Sequence, residues 1–202
     1  MIMGHKFAEI AFTPNVKKAQ EVNGSRRSYA RLEHGEVHHD VLGPNEAAFI
    51  AERDSFYMAT VRETGWPYIQ HRGGPPGFIR VLDNKTIGFA DFRGNRQYVS
   101  VGNLETDDRV SMILMDYPNR ARLKILGRAR LVGLDEQDIL HRLSLPDYRA
   151  VVERGVVITI EAFDWNCPQH ITPRFTPAEI EEAVAPLRQR IAELEQALGN
   201  KP

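Results

Sequence analysis

The stretch Arg93-Gly94-Asn95-Arg96-Gln97 sets two cations, a glycine and an asparagine in one short turn. Residues of that kind collect an anion. A guanidinium presents forked donors to phosphate oxygens, and each charge-assisted hydrogen bond contributes about 1.5–3 kcal/mol. The spacing predicts a strand ending at Asp91, a turn permitted by Gly94, and a helix beginning at Arg96-Gln97 with Asn95 as its cap. Free amides at such a start would favour the anion, which would also relieve an arginine set against the helix dipole. An exposed loop with solvated arginines fits the same residues.

A second constellation is Gln70-His71-Arg72-Gly73-Gly74-Pro75-Pro76-Gly77. Its glycines and prolines break a strand-like region and let backbone approach a flat ligand closely. No Walker A run or G-x-G-x-x-G fingerprint is present, which argues against a P-loop or Rossmann nucleotide site. Glu33, His34, Glu36, His38, His39 and Asp40 have metal-ligand chemistry but fit no standard spacing. Cys167, the only cysteine, rules out an internal disulfide and a zinc site built on several thiolates. Beside Trp165 and His170 it reads either as a reactive thiol or as a packed, inert one. His71 and His170 are candidates for proton transfer by residue type, yet no catalytic acid or base can be assigned among them.

These groups need a scaffold. From residue 55 onward, short β-type runs alternate with turn residues: SFYMATV, WPYIQHR, GFIRVL, TIGFAD, RVSMILMDY, ARLKILGRARLV and GVVITIEAF. A short helical piece near 96–104 and an acidic-started helix, DEQDILHRLSL, interrupt them. Five to seven antiparallel strands with interposed helices predict a mainly β, α+β small barrel rather than a doubly wound parallel sheet. Along 121–132, Leu123, Ile125, Ala129 and Leu131 share one face, and Arg122, Lys124, Arg128 and Arg130 the other. That basic face is either a solvated edge or a wall facing a ligand or partner. Pro44 to Arg53 suits a short helix opened by proline.

Residues 1–43 lack a clear period and read as an irregular N-terminal arm, 44–175 as the barrel domain and 176–202 as a C-terminal helix. In that helix Ile180, Val184, Leu187, Ile191, Leu194 and Leu198 form an apolar seam. The seam must bury itself on the barrel, the reading favoured here, or on another subunit; Pro186 should bend or interrupt it. Apolar residues make up 42% of the 202 and charged ones 26%, as in an ordinary globular chain. Lys+Arg at 26 against Asp+Glu at 27 leaves no overall field for nucleic acid or an anionic membrane. No run is long enough to span a bilayer and no signal peptide is recognisable, so a cytoplasmic home is expected.

The order and spacing of the runs from about Ala48 to Arg174 resemble the split-barrel flavoproteins related to pyridoxamine 5'-phosphate oxidase, and FDWNCPQHITPRF resembles a hallmark of one bacterial branch. The resemblance implies a homodimer that holds FMN between its subunits and acts on a small molecule as an oxidoreductase. It places Gln70, His71, Arg72, Gly73, Gly74 and Pro75 along the flavin and ribityl chain, with Ala90 and Asp91 at the end of the next strand. Arg96 and Gln97 match the pair that holds the phosphate, and Arg122 a polar residue that reaches the flavin. Trp165 and Arg174 resemble residues contributed by the partner subunit, at a spacing one residue shorter. Gly-Gly-Pro-Pro-Gly stands where true pyridoxamine phosphate oxidases carry a lysine, which argues against vitamin B6 oxidation. Related split barrels handle haem, so a non-catalytic flavin- or haem-binding protein is the alternative.

Overall fold

A computed structural model describes residues 3–34, 36–165 and 168–199. Two compact units emerge, one formed by Met1–Met115 with Arg122–Cys167, the other by Asp116–Ala121 with Pro168–Pro202.

The N-terminal segment is not the irregular arm expected. Strands Met3–His5 (β1) and Glu36–His38 (β2) pair in parallel. Between them lie helices Lys6–Ala11 (α1), Pro14–Val22 (α2) and Arg26–Tyr29 (α3), then a 3-10 turn at Ala30–Glu33. Capping and ion pairs, not amphipathic period, hold these pieces. Thr13 Oγ1 accepts from the Val16 amide at 3.4 Å with Pro14 in the first turn, and Glu33 ties Lys17 at 2.6 Å and Arg26 at 2.5 Å.

Helix Pro44–Ala51 (α4) follows as expected, with the Glu46 carboxylate accepting from the Gly43 amide at 3.0 Å. The remaining strands are Ser55–Val61 (β3), Pro67–Gly73 (β4), Arg80–Asp83 (β5), Thr86–Phe92 (β6), Arg109–Asp116 (β7), Ala121–Val132 (β8) and Val152–Trp165 (β9). They form one seven-stranded sheet in the order β4-β3-β7-β8-β9-β6-β5. Strand alternation sets the core: Phe56, Met58 and Thr60 of β3 and Val110, Met112 and Leu114 of β7 all point inward. The sheet curls on itself. Phe56 of β3 lies 5.1 Å, centroid to centroid, from Phe89 of β6, although three strands separate them in the sheet.

The expected strand 77–82 starts only at Arg80. Upstream, the Phe78 amide donates to the Pro75 carbonyl at 3.0 Å, and that turn drives the Phe78 ring into the core against Phe56, at 5.7 Å. Helices Val99–Leu104 (α5) and Gln137–Leu143 (α6) complete the first unit. A register shift between Leu126 and Gly127 brings the β9 backbone so close that a Cβ at Gly127 would sit 2.6 Å from the Thr159 carbonyl oxygen. Backbone cannot yield as a side chain does, so Gly127→Ala should lower stability by about 1–3 kcal/mol in urea denaturation. Unchanged stability would mean that the strands part freely here.

In the second unit, helix Pro177–Gly199 (α7) opens with a reciprocal cap. The Glu179 carboxylate accepts from the Thr176 amide at 2.7 Å, and Thr176 Oγ1 accepts from the Glu179 amide at 3.3 Å. The helix continues through Pro186 without the interruption expected. Along its seam, Ile180, Leu187, Ile191, Leu194 and Leu198 are 46–67% exposed. Among the described residues, no helix is long and apolar enough to cross a membrane.

Candidate functional site

The C-terminal ends of β4 and β6, the loop after β6, the start of α5 and the start of β9 converge on one cleft. It has two adjoining lobes of about 150 and 160 Å³ that share Gln70, Arg72, Asp91, Phe92 and Gly94. Strand alternation turns Gln70 and Arg72 toward the cleft, and Ser100 Oγ donates to Gln70 Oε1 at 3.1 Å.

Asp91 is the buried centre, 6% exposed. It accepts a short hydrogen bond from Arg72 and faces Arg154 Nε at 3.7 Å. Burial pushes the Asp91 carboxyl above its ordinary value, while the Arg72 and Arg154 guanidiniums pull against that. The arginines themselves are incompletely satisfied: the buried Nε of Arg72 and that of Arg154 have no hydrogen-bond partner among the described residues. A buried donor without an acceptor is costly, and a ligand oxygen would answer it.

Around the rim, Glu153 accepts from Arg93 Nε at 3.0 Å and from the Tyr98 hydroxyl at 3.2 Å, and Arg154 lies 5.0 Å over the Tyr98 ring. Burial would raise the Glu153 carboxyl, but the bonds from Arg93 and Tyr98 outweigh it and hold the group below its usual value. Arg72 and Arg96 line the cleft together with Asp91 and Glu153, and Arg93 and Arg154, which pair with those carboxylates from outside the lining, bring the cluster to a surplus of two positive charges.

The expected helix start at Arg96-Gln97 is corrected. Arg96 and Tyr98 have φ of +61° and +53°, left-handed values that a right-handed helix cannot contain, so α5 begins only at Val99. Asn95 does not cap it; its side-chain oxygen accepts from the Gln97 amide at 3.1 Å and closes a local turn. Two non-glycine residues in the left-handed region each cost on the order of 1–3 kcal/mol, and such strain concentrates at ligand clamps.

Of the residues singled out in the sequence, His71, Arg72, Gly73, Ala90, Asp91 and Arg96 line the cleft. Gly74 does not, and its role is internal: a Cβ there would lie 2.7 Å from the Phe78 ring. Gln97 is exposed and outside the lining. Arg122 lies on β8 with a buried Nε that has no hydrogen-bond partner among the described residues. Trp165 donates from Nε1 to Glu46 at 2.7 Å and meets Phe49 edge-on at 4.7 Å, which ties it to α4. Arg174, in the second unit, lies 4.8 Å over the Tyr117 ring. The basic face of β8 is answered by acids: Lys124 by Asp164 at 3.1 Å, Arg128 by Asp108 at 2.7 Å, and Arg130 by Glu136 at 2.8 Å.

Sequence reasoning missed Tyr98, Ser100, Glu153 and Arg154. The signal was the charged pair Glu153-Arg154 interrupting an apolar run, with Arg154 paired opposite Asp91 across the β6–β9 ladder. Among the described residues, no group of three His, Cys, Asp or Glu side chains could hold a metal ion. Cys167 lies outside the described residues, as do Gly35 of the histidine-rich run and Asn200 of the expected helix end.

A family model described as pyridoxamine 5'-phosphate oxidase matches residues 42–162. No curated protein matches the chain. Among solved structures, the chain is similar to HupZ of Group A Streptococcus, at 15% identity over 66% of this chain and 99% of that one, with a TM-score of 0.47. It is similar also to a Clostridium acetobutylicum protein related to general stress protein 26, of the pyridoxinephosphate oxidase family, at 15% identity over 67% and 94% of the two chains, TM-score 0.43. An FMN-binding protein from Syntrophomonas wolfei matches at 16% identity over 59% and 81%, TM-score 0.41.

Proposed function

The chain belongs to the pyridoxamine 5'-phosphate oxidase family, and from that premise we propose that it is an FMN-dependent oxidoreductase acting as a homodimer. One observation carries the reading: the charged cluster at the cleft has two surplus positive charges, and the buried Nε of Arg72, which lines both lobes, has no hydrogen-bond partner among the described residues. A phosphate monoester bears about 1.5–2 negative charges and three acceptor oxygens at neutral pH, which complements that surplus. The strain at Arg96 fits the same purpose, because it directs a further guanidinium along the cleft rim.

A second copy would supply the other wall, with Arg122, Trp165 and Arg174 as the groups it offers. When bound, the flavin supplies two-electron redox chemistry. The chain's part is to anchor the phosphate through Arg72, Arg96 and Arg154, to place the Gln70–Ser100 pair beside the bound group, and to let it approach over Gly73 and Ala90. The Gly73–Gly77 run, without a lysine, favours a substrate other than a B6 vitamer.

The test is titration of the purified chain with FMN, followed by fluorescence quenching and the visible spectrum. Saturable quenching is expected; its absence would remove the cofactor from the proposal. Reduction of the bound flavin by NADH or NADPH with oxygen consumption distinguishes an oxidoreductase from a protein that only holds the group. Arg96→Ala should cost about 1.5–3 kcal/mol of binding, roughly a ten- to hundredfold rise in Kd. Arg96→Gly should lose the same affinity while gaining about 1 kcal/mol of stability, because glycine accepts the left-handed backbone without strain. Equal FMN affinity in all three proteins would take the turn out of the site.

A further inference from the structure

The seam of α7 repeats at 4-3-4-3-4 spacing, and its large residues are 46–67% exposed. Written as heptads, Val184, Ile191 and Leu198 occupy a positions, and Ile180, Leu187 and Leu194 occupy d positions. β-Branched residues at a with leucine at d favour two parallel strands. Two of the three a positions and two of the three d positions obey that preference.

The flanking positions agree. Arg190 falls at g and Glu195 at the following e, the pair that meets across a parallel two-stranded interface. In an antiparallel arrangement Arg190 would instead face its own counterpart. Within the single helix, Arg190 bonds Glu193 at 2.9 Å and Arg188 bonds Glu181. Pro186 falls at c, so its ring projects away from the seam and leaves the apolar contact unbroken.

From these positions we infer that α7 pairs with α7 of a second copy of this chain as a parallel, in-register two-stranded coiled coil. The occupant of the exposed seam is the same helix, set by the Arg190–Glu195 complementarity and by the a/d composition. A parallel pair has a two-fold axis along the coil, as a closed homodimer requires. Six seam positions make a short coil. Association elsewhere on the chains would strengthen it by raising the effective concentration of the two helices, and for that strength alone the coil leans on the homodimer proposed above.

Full-length protein with Cys167→Ser removes the native thiol, and Leu194→Cys then places one thiol at a d position far from the helix centre. Mild oxidation should yield a covalent dimer at least tenfold faster than the same protein carrying Gln189→Cys, an outer f position. Arg190→Glu should slow the cross-link several-fold, and adding Glu195→Arg should restore it. Equal rates at 194 and 189, or no rescue by the charge swap, would overturn the coil.

Sedimentation separates this from the cofactor reading. A Leu187→Asp/Leu194→Asp protein that still sediments as a dimer and binds FMN, beside rapid Leu194→Cys cross-linking, supports both proposals. Rapid cross-linking with a monomeric aspartate variant that still binds FMN as tightly as the parent supports the coil and removes the two-subunit flavin cleft. A dimer that does not cross-link at 194 removes the coil and leaves the cleft standing.

Discussion

Replacing Asp91 with alanine should destabilise the apoprotein by about 3–5 kcal/mol, the range for removing one partner from a buried ion pair. Asp91 is 6% exposed, and its side chain is the carboxylate that Arg72 and Arg154 share. Without it, Arg72 loses that carboxylate and Arg154 keeps Glu153, at 3.3 Å. Asp91→Asn keeps an acceptor for Arg72 and should cost less, because only the charge is lost. Urea denaturation measures both; a loss below about 1 kcal/mol for the alanine variant would show that water already screens the pair. Inorganic phosphate should return part of the stability of Asp91→Ala, since an anion bound only by the folded state shifts the equilibrium toward it. That recovery links the structural role of Asp91 to the proposed phosphate site.

The second large effect lies in the core. Phe56→Ala should cost about 3–5 kcal/mol, a large part of the stability of an ordinary domain. Phe56 is 1% exposed and lies between Phe78 at 5.7 Å and Phe89 at 5.1 Å, so its removal opens a cavity where the sheet curls on itself. Phe56→Leu fills most of the space and should cost far less. The site would feel the cavity as well. Phe78 and Phe89 line one lobe of the cleft, so a partly folded alanine variant should also bind FMN more weakly. An alanine variant within 1 kcal/mol of the parent would mean that the three rings do not hold the two sides of the sheet together.

Much of the scaffold was legible because β-strands announce themselves locally. Alternation and turn residues located β3 and β8 to the residue, and the C-terminal helix expected from 176 opens at Pro177. The strand break at Gly73-Gly74 and the basic turn at 93–97 likewise pointed to the cleft. The errors came where local rules meet non-local contacts. Gly74 looked like a surface for a ligand, but it makes room for a phenylalanine four residues on. The four cations of β8 looked like a possible wall, yet the acids that answer three of them lie on other segments of the chain.

By itself, then, the sequence determined most strands of the large sheet, which helix carries an apolar seam, and which arginines could meet an anion. These depend on side-chain period and type within a few residues. Only the tertiary structure decided that Glu153 and Arg154 join Asp91, that Arg96 and Tyr98 adopt left-handed backbone, and that α5 starts at Val99. Pairing of β9 with β6 brings together residues more than sixty positions apart, and the electrostatic balance of a site is a sum over charges that only folding makes neighbours.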